Sequence, residues 1–253
     1  MKSVNNLVKT IARLRSKNGC PWDKVQTHKT LKRYLIEEAY EVIEAIDNDD
    51  SNALMDELGD VLLQVILHAQ IAKEKKKFTF EKLASHVNKK MISRHPHVFG
   101  DAHAKTPEEV MVHWERLKKK EKPENDTFDG IPRSLPALLK ALKVSKKASK
   151  EGFDWEDEKD LWKVLKSELH ELKTISRTSN KNKQLEELGD LLFMVVNIAR
   201  WFKLDPEEAL NKGIKKFIKR FNQVKQIAKK DIRKLSSNEL DKLWKKAKQH
   251  SLR

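Results

Sequence analysis

Apolar residues in this chain recur at three- and four-residue steps, the period of an amphipathic α-helix. Val4, Leu7, Val8, Ile11 and Leu14 form one such stripe, and Gly19-Cys20-Pro21 punctuates its end. A second stripe, Leu31, Leu35, Ala39, Val42 and Ile46, follows Thr27 and predicts a helix with that face turned inward. Asp50 or Ser51 is placed to cap a third helix, with Leu54, Leu58, Val61, Leu62 and Val65 directed to the core. Its nearly all-apolar middle predicts a central, surrounded position. Thr106-Pro107-Glu108-Glu109 and Asp205-Pro206-Glu207-Glu208 both combine a capping side chain, proline at the first helical position and glutamate behind it, which marks two further helix starts. With only 7 Gly and 7 Pro in 253 residues, the stretches 22–58, 153–188 and 214–253 run with few turn-makers. A β-sandwich or barrel is excluded on that ground, and the fold class is all-α.

The pattern also repeats. Glu57-Leu58-Gly59-Asp60-Val61-Leu62-Leu63 returns as Glu187-Leu188-Gly189-Asp190-Leu191-Leu192-Phe193, and the same step of 130 residues carries Glu38 to Glu168 and Glu41 to Glu171. Lys90-x-x-x-Arg94 is answered by Lys216-x-x-x-Arg220, and Trp114 before a lysine-rich tail by Trp244 before another. Two helical modules of one design are therefore expected, residues 1–120 and 132–253. They are joined by a linker at 121–131, within a charged stretch that contains Pro123, Asn125, Asp126 and Gly130.

The carboxylates in this repeat lie where a solvated face would not put them. At about 100° per residue, Leu31, Leu35 and Val42 fall within roughly 40° of one another and Glu38 only about 20° outside them, so a carboxylate is aimed at the core edge. Glu41 follows one turn on, and Glu57 and Asp60 have the same spacing on the next helix, flanking its apolar stripe. If the two helices pack antiparallel, as their short connection implies, four carboxylates converge. Burying like charges costs several kcal/mol per ion without compensation, and Mg²⁺, which takes oxygen ligands, is the fitting counter-ion. Recurrence of the arrangement at Glu168, Glu171, Glu187 and Asp190 favours metal over lysine-paired surface glutamates.

The net charge of +15 favours polyanionic partners and does not choose among nucleic acid, acidic lipid and phosphate-bearing metabolites. Lysine clusters at 73–77 and 118–122 lack an interleaved aromatic platform, which argues against a nucleic-acid partner. A single cysteine, Cys20, excludes an internal disulfide framework and is more in keeping with a packed thiol than a nucleophile. The longest apolar run, 61–67, is far short of the roughly 20 residues of a membrane helix, so no membrane association and a cytoplasmic location are expected. His95-Pro96-His97, with His86 and His103 nearby, lacks the cysteines or regular spacing of a zinc site and is read as structural. Gly59 and Gly189 stand inside predicted helices, where close helix approach is the expected reason for the missing side chain.

Ordered along the chain, Leu14-Arg15, Gly19-Cys20-Pro21-Trp22-Asp23, Gln26-Thr27-His28, Tyr34-Leu35-Ile36-Glu37-Glu38-Ala39-Tyr40-Glu41, Glu57-Leu58-Gly59-Asp60 and Arg94-His95-Pro96-His97-Val98-Phe99 resemble the MazG family of nucleoside triphosphate pyrophosphohydrolases. Ile131-Pro132-Arg133-Ser134-Leu135-Pro136-Ala137-Leu138 and Gly152-Phe153-Asp154-Trp155 extend the likeness over the second half. The resemblance implies four-helix modules assembled as a homodimer, Mg²⁺ dependence, and hydrolysis of a nucleoside triphosphate to monophosphate and pyrophosphate in nucleotide-pool housecleaning with broad base tolerance. It places metal ligands at Glu38, Glu41, Glu57 and Asp60 and at Glu168, Glu171, Glu187 and Asp190, with the second set catalytic. Lys216, Lys219 and Arg220 share a helix face by their spacing, and the resemblance sets that segment and Trp244 at the nucleotide. The second module departs from the family pattern at one position: Ser167 stands where the first has Glu37. Two other classes remain as alternatives, a helical nucleic-acid-binding protein and a non-catalytic metal-binding scaffold.

Overall fold

The computed structural model describes residues 2–121, 126–228 and 231–250; Pro123 and Asn125 of the expected linker lie outside them. Helices make up its regular structure, and no strand occurs among the described residues. The chain divides into two compact units, Met1–Lys122 and Pro123–Arg253.

In the first unit α1 (Lys2–Leu14), α2 (Pro21–Val25), α3 (Lys32–Asp47), α4 (Ser51–Glu74), α5 (Phe80–Arg94), α6 (Pro96–Phe99) and α7 (Pro107–Glu121) follow in order. The expected start signals are used. Asp50 accepts from the backbone N–H groups of Asn52 and Ala53, which caps α4. At α7, Pro107 takes the first position while the Thr106 hydroxyl accepts from Glu109 N–H and the Glu109 carboxylate from Lys105 N–H. α4 is the hub: it packs on α3, α1 and α5. Ile11, Leu31, Ile66, Leu67 and Ile71 form the buried centre, with Leu7, Tyr34, Leu62 and Phe80 against it.

The second unit holds α8 (Ala137–Lys150), α9 (Glu158–Ile175), α10 (Lys181–Trp201), α11 (Pro206–Ile227), a 3₁₀ turn (Ile232–Lys234) and α12 (Ser237–His250). α10 takes the place of α4, packing on α9, α8 and α11. Asp205 caps α11 through Glu207 N–H and Glu208 N–H.

Two expectations about packing need correction. Only part of each inward stripe is covered: Leu31 is buried and Val42 half-buried, but Leu35, Ala39 and Ile46 on α3 and Leu58 on α4 are exposed. The buried length of α4 is its second half, from Gln64 to Ala72, where α1 and α5 close over it. The first half has α3 on one side only. The second correction concerns Gly59 and Gly189. A Cβ built at either would meet nothing within 4 Å, so helix approach inside the chain does not explain them.

Candidate active site

The short connection between α3 and α4 folds them into an antiparallel hairpin, and α9 with α10 does the same. In each hairpin three glutamates meet. Oxygens of Glu38, Glu41 and Glu57 lie within 4.8 Å of one another, as do those of Glu168, Glu171 and Glu187. These two trios are the groups among the described residues that can hold a metal ion. Asp60 and Asp190 stand just outside. Each is one turn beyond its glutamate and one methylene shorter, and its charge acts on the trio.

The electrostatics show the crowding. Burial pushes the Glu38 carboxyl above its usual range, the Asp60 and Glu41 charges push it further, and the Gln64 amide partly offsets them. Glu57 is raised by burial and then by Glu41, Asp60 and Asp56. In the second hairpin burial raises Glu168, followed by Glu171, Asp190 and Glu187. No lysine or arginine stands among the causes at any of the three. An all-oxygen donor set with excess negative charge is what a hard divalent cation requires. A buried orphan supports the same fit: the Oε1 of Gln64, a residue only 5% exposed, has no partner.

Sequence reasoning missed what two neighbours of the trios do. Gln64 lies on α4 two turns beyond Glu57, on the same stripe; in the second module Met194 occupies the place and leaves Glu168 without an amide. A polar residue within an apolar helix face was the available signal. The other is Ser167, whose hydroxyl donates to the Glu171 carboxylate at 2.9 Å. The departure from the family pattern therefore supplies a neutral donor that orients one member of the trio.

The expected substrate-binding residues lie on a different pair of helices from the trio, α11 and α12. Lys216 and Lys219 are exposed on α11, and Arg220 is half-buried there with its Nε unpartnered. Trp244 on α12 packs its ring 5.2 Å from Phe217, which locks α12 to α11. In the first module the corresponding arginine is already engaged. Arg94 bonds the Glu121 carboxylate through Nε at 3.1 Å and lies over the Trp114 ring. His95 bonds the Met91 carbonyl and packs edge-on to Trp114, while His97 lies beside it.

In each module a half-buried arginine also ties the hub helix to the segment ahead of its hairpin. Arg15, on the segment after α1, binds Glu74 of α4 and the carbonyls of Asp23 and Gln26. In the second module the arginine sits on the hub itself: Arg200 of α10 binds Asp154 and the Ser145 hydroxyl of α8.

Comparison with known proteins agrees with this duplicated architecture. The MazG nucleotide pyrophosphohydrolase domain matches twice, at residues 26–99 and 156–225, each match spanning one hairpin. The nucleoside triphosphate pyrophosphohydrolase/pyrophosphatase MazG of Thermotoga maritima is 43% identical over 247 residues, 96% of this chain and 94% of that protein. The nucleoside triphosphate pyrophosphohydrolase of Escherichia coli K12 is 41% identical over 233 residues, 90% of this chain and 89% of that one. Two trios of glutamates on two matching hairpins, and likeness along nearly the whole length of these relatives, lead to one conclusion: the chain belongs to the MazG nucleotide pyrophosphohydrolase family.

Proposed function

We infer that this protein hydrolyses nucleoside triphosphates to nucleoside monophosphate and pyrophosphate, and that the second module is the working site. Glu168, Glu171 and Glu187, with Asp190 beside them, would hold Mg²⁺ there; Glu38, Glu41, Glu57 and Asp60 would hold it in the first module. When bound, the cation supplies Lewis-acid polarisation of the phosphates and lowers the pKa of a bound water. The observation that carries this reading is the convergence of oxygens of three glutamates within 4.8 Å, where burial and the neighbouring carboxylates raise Glu168.

The chain's own residues then have separable tasks. The glutamates fix where the reacting phosphates sit, and Ser167 keeps Glu171 in one orientation. Lys216, Lys219 and Arg220 bring positive charge to a triphosphate that metal alone leaves strongly negative. The Nε of Arg220 is buried without a partner, whereas Arg94, its counterpart, is engaged by Glu121. Broad base tolerance and nucleotide-pool housecleaning fit a site whose charged groups all address phosphate.

A homodimer is part of the proposal. Ile36, Tyr40 and Ile43 on α3, Met55 and Leu58 on α4, and Leu169, Leu185, Leu188 and Leu192 on the second hairpin are exposed, and Gly59 and Gly189 face open space among them. Apolar hairpin faces of this kind are stable when covered by another copy. No described helix is long and apolar enough to cross a membrane. Phosphorus NMR of a turnover mixture tests the reaction: pyrophosphate and monophosphate are the expected direct products, whereas orthophosphate and diphosphate would contradict it.

A further inference from the structure

Glu121, the last residue of α7, sets its carboxylate on a corner of α5 that has the make-up of an anion site. Arg94 donates to one oxygen through Nε at 3.1 Å and through a terminal nitrogen as well, and the Ser93 hydroxyl donates to the other oxygen at 3.3 Å. We propose that this corner of the first module is a phosphate site occupied by the chain's own Glu121, which acts as a latch that keeps phosphate-bearing ligands off Arg94. The proposal rests on the reading that the basic residues behind each hairpin address phosphate.

The chemistry of the contact is the first argument. A guanidinium fork fits carboxylate and phosphate alike, so a carboxylate seated in it stands where phosphate oxygens would. Lys90, one turn before Arg94, adds its charge at Glu121, and three groups of α5 thus converge on one anion. Hydrogen bonding from Arg94 holds the Glu121 carboxyl below its usual range, and the occupant is charged at neutral pH.

The corner is rigid and its occupant is not. The Arg94 side chain is 11% exposed and its guanidinium lies 5.2 Å from the centre of the Trp114 ring, which also takes the edge of His95. A ligand meeting such a group loses little to ordering it. Glu121, by contrast, ends its helix with its side chain 38% exposed.

The second module shows the same corner without the latch. Lys90-x-x-Ser93-Arg94 is answered by Lys216-x-x-Lys219-Arg220, two bases against three. The step of 130 residues that carries Trp114 to Trp244 carries Glu121 to Ser251, which is not an acid and lies outside the described residues. α12 docks on α11 with Trp244 against Phe217, so a helix can pack at this place without an ion pair to Arg220 Nε. Holding α7 on α5 is therefore not a sufficient reason for Glu121. A charged hydrogen-bond partner of this kind lowers the affinity of an external anion for the same donors by about tenfold or more.

The test is calorimetric titration of the full chain with pyrophosphate in the presence of Mg²⁺. The wild type is compared with Glu121→Gln, Glu121→Ala and the double variant Glu121→Gln with Arg94→Ala, each first checked for native helicity. Both single variants are expected to bind one more pyrophosphate per chain, at least about tenfold more tightly than the wild-type first module does, and the double variant to lose that gain. Isotherms of the single variants that match the wild type overturn the latch and leave Glu121 as a tie between α7 and α5. A gain that survives Arg94→Ala also overturns it, because the anion would then bind elsewhere. Arg220→Ala separates the latch from the reading beneath it. Unchanged pyrophosphate affinity in that variant would sink the role given to the second module's basic face, while an Arg94-dependent gain in Glu121→Gln would leave the latch standing.

Discussion

The two hairpins share their carboxylate geometry and differ in almost everything around it. In the first, Gln64 lies under the trio, Glu37 beside it, and the basic residue of the following helix, Arg94, is closed by Glu121. In the second those places hold Met194, Ser167 and an Arg220 whose Nε has no partner. Helical spacing on two packed helices reproduces the carboxylate trio in both modules. The surroundings differ at the arginine: Arg94 is closed by Glu121, whereas the Nε of Arg220 is buried without a partner among the described residues. On the proposed function, both modules bind metal and the second one turns substrate over.

The largest expected effect comes from removing the cation altogether. Chelation should abolish turnover, and Mg²⁺ added back should restore it; full activity in excess chelator would break the comparison at its root, since the trios would then have no catalytic use. Next in size, Arg220→Ala should raise KM about tenfold or more with a smaller effect on kcat, because it removes a charged hydrogen bond to phosphate. Arg94→Ala should leave KM within about twofold. Steady-state kinetics on the two variants read this directly, and equal losses would mean that both basic faces handle substrate.

Stability sharpens the metal half of the comparison. A cation that binds only the folded protein adds RT ln(1 + [L]/Kd), about 2.7 kcal/mol at a hundredfold excess over Kd. The pH dependence has a definite sign. Glu38, Glu57 and Glu168 all have folded pKa values above the ordinary 4.5, so without metal their contribution favours folding below that value and is lost as pH rises through the raised pKa. Thermal unfolding should accordingly show a larger Mg²⁺ shift at pH 8 than at pH 5, beyond that of a monovalent salt at matched ionic strength. The same shift at both pH values would contradict the crowded-carboxylate account.

Much of this was legible in the sequence because it is local. Glu38 with Glu41, and Glu57 with Asp60, declare their shared face by spacing alone, and the caps at Asp50 and Asp205 act on N–H groups two and three residues away. The rest depends on partners that periodicity does not name. The stripe through Leu35, Ile46 and Leu58 is apolar in sequence yet exposed in the chain, because a pattern records that a face seeks cover and not which molecule supplies it. Ser167 stood out in the sequence only as a departure from Glu37, although its bond to Glu171 is an ordinary contact one turn away. Trp155 entered only as part of the Gly152-Phe153-Asp154-Trp155 motif, because its anchor, Arg200, is distant in sequence and brought near by α10 packing on α8 and α9.

The smallest expected effect concerns that anchor. Arg200 holds the Asp154 carboxyl down to about 2 from an ordinary 3.8, chiefly by hydrogen bonding, helped by Ser149 and the Trp155 backbone. A depressed carboxyl contributes stability that is complete above its unfolded value and is lost as pH falls through the folded one. Acid titration followed by tryptophan fluorescence should therefore show the second module loosening between pH 3.8 and 2, and Asp154→Asn should remove that part of the transition. A transition unaltered by the substitution would show that the anchor adds nothing measurable.

The central claim, one working module beside one that only holds metal, is tested most directly by comparing kcat of Glu171→Gln and Glu41→Gln in protein shown to be folded and in its native assembly. Each change keeps size and removes one charged member of a trio. The account predicts a loss of at least about 10²-fold for Glu171→Gln, the scale of losing a key electrostatic stabiliser, and a clearly smaller loss for Glu41→Gln. Turnover abolished by Glu41→Gln and spared by Glu171→Gln would contradict it.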